Sequence, residues 1–263
     1  MNMLDTIVAY KKKEVSDRKS GRKIAELEKS AFFGRQCYSL AAALKDERQT
    51  GIIAEFKRKS PSKGMINPQA DILKVTKGYT DNGASCLSVL TDAYFFGGSS
   101  EDLEMARVNR IPILRKEFII DEYQVYEAKS IGADVILLIA ACLTPRQVRE
   151  LAVLSGKLGM EVILEIHDAE ELGHITDETS MVGINNRNLK TFEVDIDRSL
   201  RMSEKIAADK IKIAESGIST IENILLFKEH GYKGFLIGEN FMKQPDPTIA
   251  FAEFVNQLKA KAL

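Results

Sequence analysis

From residue 51 to the end of the chain, short apolar runs alternate with longer helix-forming stretches, and this alternation most limits the possible folds. The runs recur at intervals of roughly 25 residues, as in a succession of βα units. Their continuous apolarity is typical of strands that are covered on both faces in a parallel sheet. The runs are residues 51–57, 85–90, 111–117, 134–139, 160–166, 181–186, 210–215 and 234–238.

The stretches between the runs have helical periodicity, and several open with a suitable N-cap, namely Asp121, Thr144, Asp168 and Ser219. Eight successive βα units predict an α/β fold, a closed (βα)8 or TIM barrel, and the chain length is ordinary for that fold. A doubly wound open sheet is the alternative. Such a sheet usually has fewer strands and often a glycine-rich first turn, which this sequence lacks.

Residues 1–50 precede the repeat and are predicted to form an N-terminal helical extension. The sequence contains no linker rich in Pro, Gly or Ser that would mark a second domain. We therefore interpret the extension and a barrel of residues 51–263 as a single domain, residues 1–263.

Two apolar segments indicate that the extension contains a pair of helices. Leu4, Ile7 and Val8 have helical spacing, and a second apolar segment covers residues 40–44. We expect these helices to cap the barrel and cover its apolar surface; the alternative is that they also close the active site. The lysines at residues 11–13 are interpreted as a solvated face.

The charges are balanced, with 37 Lys and Arg against 38 Asp and Glu and a net charge of -1. Such a chain has no global field that favours nucleic acid or a membrane surface, so neither is expected as a partner. The three cysteines are odd in number and widely spaced, which favours reduced thiols over a disulfide framework. Since no signal peptide is recognisable and no apolar stretch approaches about 18 residues, the expected location is the cytoplasm.

Charged residues recur where the predicted strands end. In a barrel these positions face the βα loops, and charges that are desolvated there are paired or functional. Glu55 and Lys57 share one face of the first strand, so both can point into the mouth of the barrel, and a structural ion pair is the alternative. The cationic loop that follows, with the hydroxyl of Ser60, indicates an anionic ligand unless it is a solvated basic loop.

The third and fifth runs also end in ionisable residues. Lys116 interrupts an apolar run, where desolvation and neighbouring cations can lower the pKa of an amine toward an acid–base range. A lysine exposed at a loop entrance is the alternative. Glu165 lies between Leu164 and Ile166, and the barrel interior suits a carboxylate better than a packed helix layer. His167 is interpreted as an ordinary loop histidine.

The last three runs lead into polar and glycine-containing loops. Residues 185–188 offer amide and guanidinium groups that can bind hydroxyls or carboxylates, although a hydrogen-bonded turn uses the same residues. Gly217 and Gly238 follow the seventh and eighth runs, where this fold usually binds phosphate. Either glycine alone could serve a turn, but their paired placement predicts a phosphate site.

Taken in order along the chain, these motifs resemble those of the indole-3-glycerol-phosphate synthase family. The likeness covers nearly the whole chain, including the extension. One departure is Glu117, where the family commonly has Asp after its lysine, and the charge is kept. The matching segments are residues 54–62, 90–92, 95–99, 114–118, 165–167, 183–189, 214–217 and 237–239.

The resemblance implies a lyase of tryptophan biosynthesis. The family's substrate, 1-(2-carboxyphenylamino)-1-deoxyribulose 5-phosphate, loses carbon dioxide and water and becomes indole-3-glycerol phosphate. The resemblance makes Lys116 the general acid of ring closure, Glu165 the second acid–base residue and Lys57 the partner of the substrate carboxylate. The residues that would orient the substrate hydroxyls and the lysines are Glu55, Asn185 and Glu215.

The resemblance also implies a set of substrate-binding residues. Loop hydroxyls, glycine N–H groups and charged side chains would shape the phosphate site, and apolar side chains would form the walls around the anthranilate ring. The implied substrate-binding residues are Ser60, Phe96, Phe118, Arg187, Leu189, Ser216, Gly217, Gly238 and Glu239.

No cofactor is expected, because the sequence has no metal-ligand cluster and no dinucleotide fingerprint. We expect a monomer that acts on a small phosphorylated substrate, with association with other tryptophan-pathway enzymes left open. The nearest alternative enzyme is another phosphate-binding barrel, such as phosphoribosylanthranilate isomerase, which can use a Cys/Asp pair. The alternative from another class is a non-catalytic barrel that binds a phosphorylated metabolite or a partner protein, but it leaves Lys116 and Glu165 unexplained.

Overall fold

The computed structural model describes residues 3–188 and 193–261. Eight parallel strands form a closed barrel, in which successive strands pair and the first strand also pairs with the last. This arrangement confirms the (βα)8 prediction and excludes the open sheet. The strands are β1 (Ile52–Phe56), β2 (Cys86–Leu90), β3 (Ile113–Lys116), β4 (Val135–Ile139), β5 (Glu161–Ile166), β6 (Met181–Asn185), β7 (Ile211–Glu215) and β8 (Tyr232–Ile237).

The helices begin where the sequence places caps, with two differences. Asp168 directly precedes a 3-10 helix, but its side chain accepts no capping hydrogen bond. Asp121 and Thr144 accept hydrogen bonds from the first turns of their helices, as predicted. The prediction of Ser219 as a cap is wrong by one residue, because Thr220 accepts the N–H of Asn223 and completes a capping box. The α-helices are α1 (Met3–Gly21), α2 (Ile24–Leu27), α3 (Leu40–Lys45), α4 (Ile72–Asp81), α5 (Ala93–Phe96), α6 (Ser100–Ala106), α7 (Glu122–Ser130), α8 (Pro145–Lys157), α9 (Ile196–Ser203), α10 (Ile221–Glu229), α11 (Glu239–Met242) and α12 (Pro247–Lys261), and two 3-10 helices cover Ala140–Cys142 and Ala169–His174.

Both faces of the strands are buried, which explains their continuous apolarity. In β1, Ile52 and Ala54 belong to the apolar layer between the strands and the helices. Ile53 belongs to a second cluster, together with residues of the other strands, in the barrel interior. Since side chains alternate along a strand, Glu55 shares the inward face with Ile53. On the inward face of β1, the charged Glu55 therefore comes two residues after the apolar Ile53, near the carboxyl end of the strand.

Helix α3 of the extension closes the amino-terminal end of the barrel. Leu40 and Leu44 are buried in the interior cluster with Ile53. The carboxylate of Glu161, the first residue of β5, accepts the backbone N–H groups of Leu40 at 2.7 Å and Ala41 at 3.0 Å. The same carboxylate thus satisfies donors of the first turn of α3 and fixes the helix against the barrel.

Helix α1 lies at the opposite end, beside the mouth of the barrel. Its first residues Met3, Leu4 and Ile7 line the cavity at the carboxyl ends of the strands. The extension therefore covers apolar surface and also borders the site, and it contains three helices instead of the expected pair. In the part of the chain that the structure describes, no helix is long and apolar enough to cross a bilayer.

Lys11 corrects the prediction that the lysines of residues 11–13 form a solvated face. The two lysines after it are exposed, but the side chain of Lys11 is 0% exposed. Its Nζ atom lies 2.8 Å from Asp92, 3.0 Å from Glu117 and 2.6 Å from Glu14. Burial opposes the charge on Lys11, but these carboxylates outweigh burial and raise its pKa. The ammonium group therefore ties α1 to the loops after β2 and β3.

We predict that Lys11→Met lowers the free energy of unfolding by about 3–5 kcal/mol, because the buried Asp92 carboxylate would lose its cation and Glu117 would keep only Arg115, 4.0 Å away. Lys13→Met removes the same group from an exposed position on the same helix and serves as the matched control. Urea denaturation of both variants measures the difference. Equal stability of the two variants would contradict a structural role for the buried ammonium.

Candidate active site

A cavity of about 330 Å³ opens at the carboxyl ends of the barrel strands. Every predicted site residue within residues 3–188 and 193–261 lines this cavity. The remaining one, Leu189, lies outside the described residues. Ends of strands that are far apart in sequence meet here because the barrel is closed, so the strand-end motifs converge on one space.

Lys116 lies at the centre of the charged groups in this cavity. Its Nζ atom lies 3.1 Å from Glu165 and 3.6 Å from Glu215, and both carboxylates are almost completely buried. Burial disfavours the ammonium form, but Glu165, Glu215 and Glu55 together raise the pKa of Lys116. The expectation of a lowered pKa is therefore wrong, because the neighbours of this lysine are carboxylates and not cations.

The two carboxyl groups beside Lys116 have opposite pKa shifts. Burial opposes the charge on Glu165, yet Lys116, His167 and Asn185 hold its pKa well below the usual value. The Nδ2 group of Asn185 donates a hydrogen bond of 3.0 Å to Glu165. Burial and the nearby Glu165 charge raise the pKa of Glu215, and Lys116 offsets only part of this effect. One carboxyl group is thus held ionised and the other is biased toward its neutral form, a separation typical of acid–base sites.

Glu55 and Lys57 form an ion pair at the end of β1, with Nζ and Oε1 2.8 Å apart. Gly238 makes room for this pair, since a Cβ atom at that position would lie only 2.6 Å from the Glu55 carboxylate. The glycine after β8 is therefore required by packing against Glu55. This requirement was not visible from the sequence, which indicated only a backbone approach to a ligand.

The loop after β7 has a strained backbone. Ser216 has a φ of 68° and Gly217 a φ of 71°, both in the left-handed region that favours glycine. The side-chain amide of Asn186 donates a hydrogen bond of 2.7 Å to the backbone oxygen of Ser216 and fixes the loop. Strain of this kind in a loop that lines a cavity is typical of a binding site.

Different parts of the cavity wall differ in polarity. The rings of Phe96 and Phe118 lie 5.9 Å apart at an angle of 38° and form an apolar wall. On another side, Arg187 lies 3.8 Å from the carboxylate of Glu239, beside the loops after β7 and β8. The cavity thus offers an apolar wall, a central cluster of charged side chains and polar loops.

The interpretation of His167 as an ordinary loop histidine does not describe its position, which is inside the barrel mouth beside Glu165. The side chain is almost completely buried, and Nε2 lies 3.0 Å from the Oε1 atom of Glu165. The i, i+2 spacing of Glu165 and His167 could have indicated this, because residues two apart share one face of a strand. Within the described ranges, no group of His, Cys, Asp and Glu side chains is arranged to hold a metal ion.

This fold and this cavity define a TIM barrel with a buried cluster of Lys and Glu side chains at the carboxyl ends of its strands. A family model described as "Indole-3-glycerol phosphate synthase" matches residues 4–254. The chain belongs to this family. It is an indole-3-glycerol-phosphate synthase in activity, a carboxy-lyase of tryptophan biosynthesis.

Relatives of this name match almost the whole chain. Indole-3-glycerol phosphate synthase of Bacteroides thetaiotaomicron is 45% identical over 259 residues, which cover 98% of this chain and 99% of the relative. The Bordetella pertussis protein is 42% identical over 259 residues, 97% of this chain and 99% of the relative. Tryptophan synthase subunit alpha from Legionella pneumophila superposes with a TM-score of 0.61 at 15% identity, covering 84% of this chain and 97% of that chain, and shows the fold alone.

We predict that the stability of the protein falls as the pH rises through the range in which His167 loses its proton. Burial opposes its charge, but Glu165 and Glu171 outweigh burial and raise the pKa of His167 to about 9. A raised pKa gives a contribution that is fully present below the unfolded value of about 6.5 and is lost as the pH approaches the folded value. The contribution is at most about 3 kcal/mol.

The measurement is the free energy of unfolding of the wild type and of His167→Gln from pH 6 to pH 9.5. Glu215 also has a raised pKa, but it is present in both proteins, so its contribution largely cancels in their difference. The difference between the two proteins should shrink as the pH rises. A difference that is constant over this range would contradict the raised pKa of His167.

Proposed function

We propose that the family's ring closure takes place in the cavity at the mouth of the barrel, with Lys116 as its general acid. The observation that carries this assignment is the contact of the Lys116 ammonium with Glu165 and Glu215. A lysine that keeps its proton at neutral pH is suited to donate it where negative charge develops.

The first step forms a bond between the aromatic carbon that bears the carboxylate and the ketone carbon of the substrate. The ketone oxygen becomes a hydroxyl by taking a proton from Lys116. Loss of carbon dioxide then returns an electron pair to the ring and restores its aromaticity. The protein mainly holds the reacting atoms together and excludes water during these steps.

Dehydration needs an acid for the departing hydroxyl and a base for the proton on the neighbouring carbon. Glu165, which is ionised, is proposed as the base. Lys57 is proposed to bind the substrate carboxylate first and, after carbon dioxide has left, to donate the proton with which the hydroxyl departs as water. Its ion pair with Glu55 holds the ammonium at the mouth. Asn185 orients Glu165, to which it donates a hydrogen bond.

The phosphate group is proposed to bind in the loops after β1, β7 and β8. These loops line one part of the cavity and offer hydroxyl groups and backbone N–H groups. The guanidinium group of Arg187, in the loop after β6, lies beside them, 3.8 Å from the carboxylate of Glu239. The anthranilate ring is proposed to pack on the apolar wall of Phe96 and Phe118, with Leu189 as a further wall residue. The proposed phosphate-site residues are Ser60, Ser216, Gly217, Gly238 and Glu239.

We further propose that the extension and the barrel act as one domain and that the protein works without a cofactor. The contacts of Lys11 at one end of the barrel and of α3 at the other support a single unit. A monomer in the cytoplasm, able to associate with other enzymes of the pathway, is the proposed working state. Size-exclusion chromatography with light scattering tests whether the protein is a monomer in solution.

We predict that the wild type converts 1-(2-carboxyphenylamino)-1-deoxyribulose 5-phosphate to an indole product, measured by indole absorbance. Lys116→Ala should lower kcat by about 10²–10⁴-fold, because the ketone oxygen loses its proton donor. Lys157→Ala, on the exposed end of α8, removes the same group far from the cavity and should leave kcat unchanged.

Circular dichroism and thermal unfolding establish that the Lys116 variant keeps its fold. A kcat of Lys116→Ala close to that of Lys157→Ala would contradict the assignment of the general acid. In the same assay, Glu165→Gln should also be severely slowed, and unchanged kinetics there would remove Glu165 from the reaction.

A further inference from the structure

His167 is held between two carboxylates at the point where β5 ends. Its Nε2 atom lies 3.0 Å from Oε1 of Glu165, and its Nδ1 atom lies 3.6 Å from Oε2 of Glu171. The side chain is 4% exposed, so neither ring nitrogen is freely solvated. The reaction steps assigned above use Glu165 but give no role to this imidazole.

Glu171 holds His167 through its main chain as well as through its ring. The backbone N–H of His167 donates a hydrogen bond of 2.6 Å to Oε2 of Glu171. Glu171 lies in the 3-10 helix Ala169–His174, which directly follows β5. The backbone hydrogen bond fixes the main chain of His167, and the longer ion contact of Nδ1 with Glu171 is made with the Nε2 edge of the ring toward Glu165. A base oriented by a charged ring that is itself oriented by a carboxylate is a recurrent arrangement in active sites.

The charges around this pair define what the imidazole can do. Three side chains of other strands face Glu165: Lys116 from β3, Asn185 from β6 and Glu215 from β7. The group that faces His167 from the other side is the carboxylate of Glu171. Glu55 and Cys142 lie further out, near Lys116 and Glu165 respectively. Two cations, Lys116 and His167, therefore hold the buried Glu165 carboxylate between them.

The two cations have different fates during the reaction. Lys116 gives up its proton to the ketone oxygen and becomes a neutral amine, so it no longer stabilises the charge on Glu165. A buried carboxylate without a cation takes up a proton and cannot act as a base. His167 donates no proton in any step assigned to the site, so its charge persists beside Glu165 throughout the turnover.

We propose that His167 is a positioning residue, whose imidazolium keeps the Glu165 carboxylate ionised and oriented after Lys116 has given up its proton. This inference rests on the proposed roles of Lys116 and Glu165. It assigns the Glu171–His167–Glu165 row to the dehydration half of the reaction, and not to substrate binding.

The test compares His167→Gln with His230→Gln in steady-state kinetics as a function of pH. Glutamine can still donate an amide hydrogen bond toward Glu165 but carries no charge. His230 caps the end of α10, bonds the backbone of its own helix and serves as the matched control. For His167→Gln we expect kcat to fall by about 10-fold or more with KM within about twofold of the wild type.

The acid limb of the kcat–pH profile should move to higher pH in His167→Gln, because the pKa of Glu165 rises without the imidazolium. Glu171→Gln should move kcat and the acid limb in the same direction by a smaller amount. Glu171→Gln is the variant to measure if His167→Gln does not fold. An unchanged acid limb overturns the proposal, whether kcat is unchanged or falls in parallel with thermal stability.

A second arm needs no turnover and separates this inference from the proposed function. The imidazole resonances of His167 are titrated by NMR in the free enzyme and in Glu165→Gln. The pKa of His167 should fall when the charge of Glu165 is removed. An unchanged pKa would show that the two side chains do not interact and would overturn the proposal. A wild type that does not convert the substrate, with the NMR result as expected, would refute the proposed function instead.

Discussion

The structure of the mouth depends on the contact of one ammonium group, that of Lys116, with two buried carboxylates. Charges removed from water are costly unless they are paired, so none of these three side chains could be buried here alone. They come from β3, β5 and β7, and Glu55 comes from β1. In this fold alternate strands supply the side chains of one interior layer, and here the layer nearest the mouth is charged. Closure of the barrel therefore determines the electrostatics of the site.

The extension stabilises this arrangement from both ends of the barrel. At the amino-terminal end, α3 fills the interior and its N–H groups bond to Glu161, the residue that begins β5. At the mouth, Lys11 of α1 pairs with Glu117, the residue directly after Lys116. Glu117, where the family resemblance leads us to expect Asp, is thus a residue that anchors the extension. The same helix borders the cavity, which links the fold of the extension to access to the site.

Much of the fold and of the cavity could be predicted from the sequence, because strand periodicity and the position of charges at strand ends are local signals. Glu55 and Lys116 were located in this way. What could not be predicted depends on partners distant in sequence: the burial of Lys11 requires Asp92 and Glu117, and the raised pKa of Lys116 requires carboxylates from two other strands. The role of Gly238 depends on Glu55 in the same manner. The reaction itself was named by the family resemblance and not by any physical pattern.

The proposed role of Lys116 as a general acid requires that the surrounding carboxylates keep its side chain protonated. The most direct measurement is the pKa of Lys116, obtained by NMR on ¹⁵N-lysine-labelled protein, with Lys116→Arg to assign the signal. The pKa should lie above the ordinary lysine value of about 10.4 in the wild type and fall in Glu165→Gln. A wild-type pKa at or below the ordinary value, unaffected by Glu165→Gln, would contradict the claim.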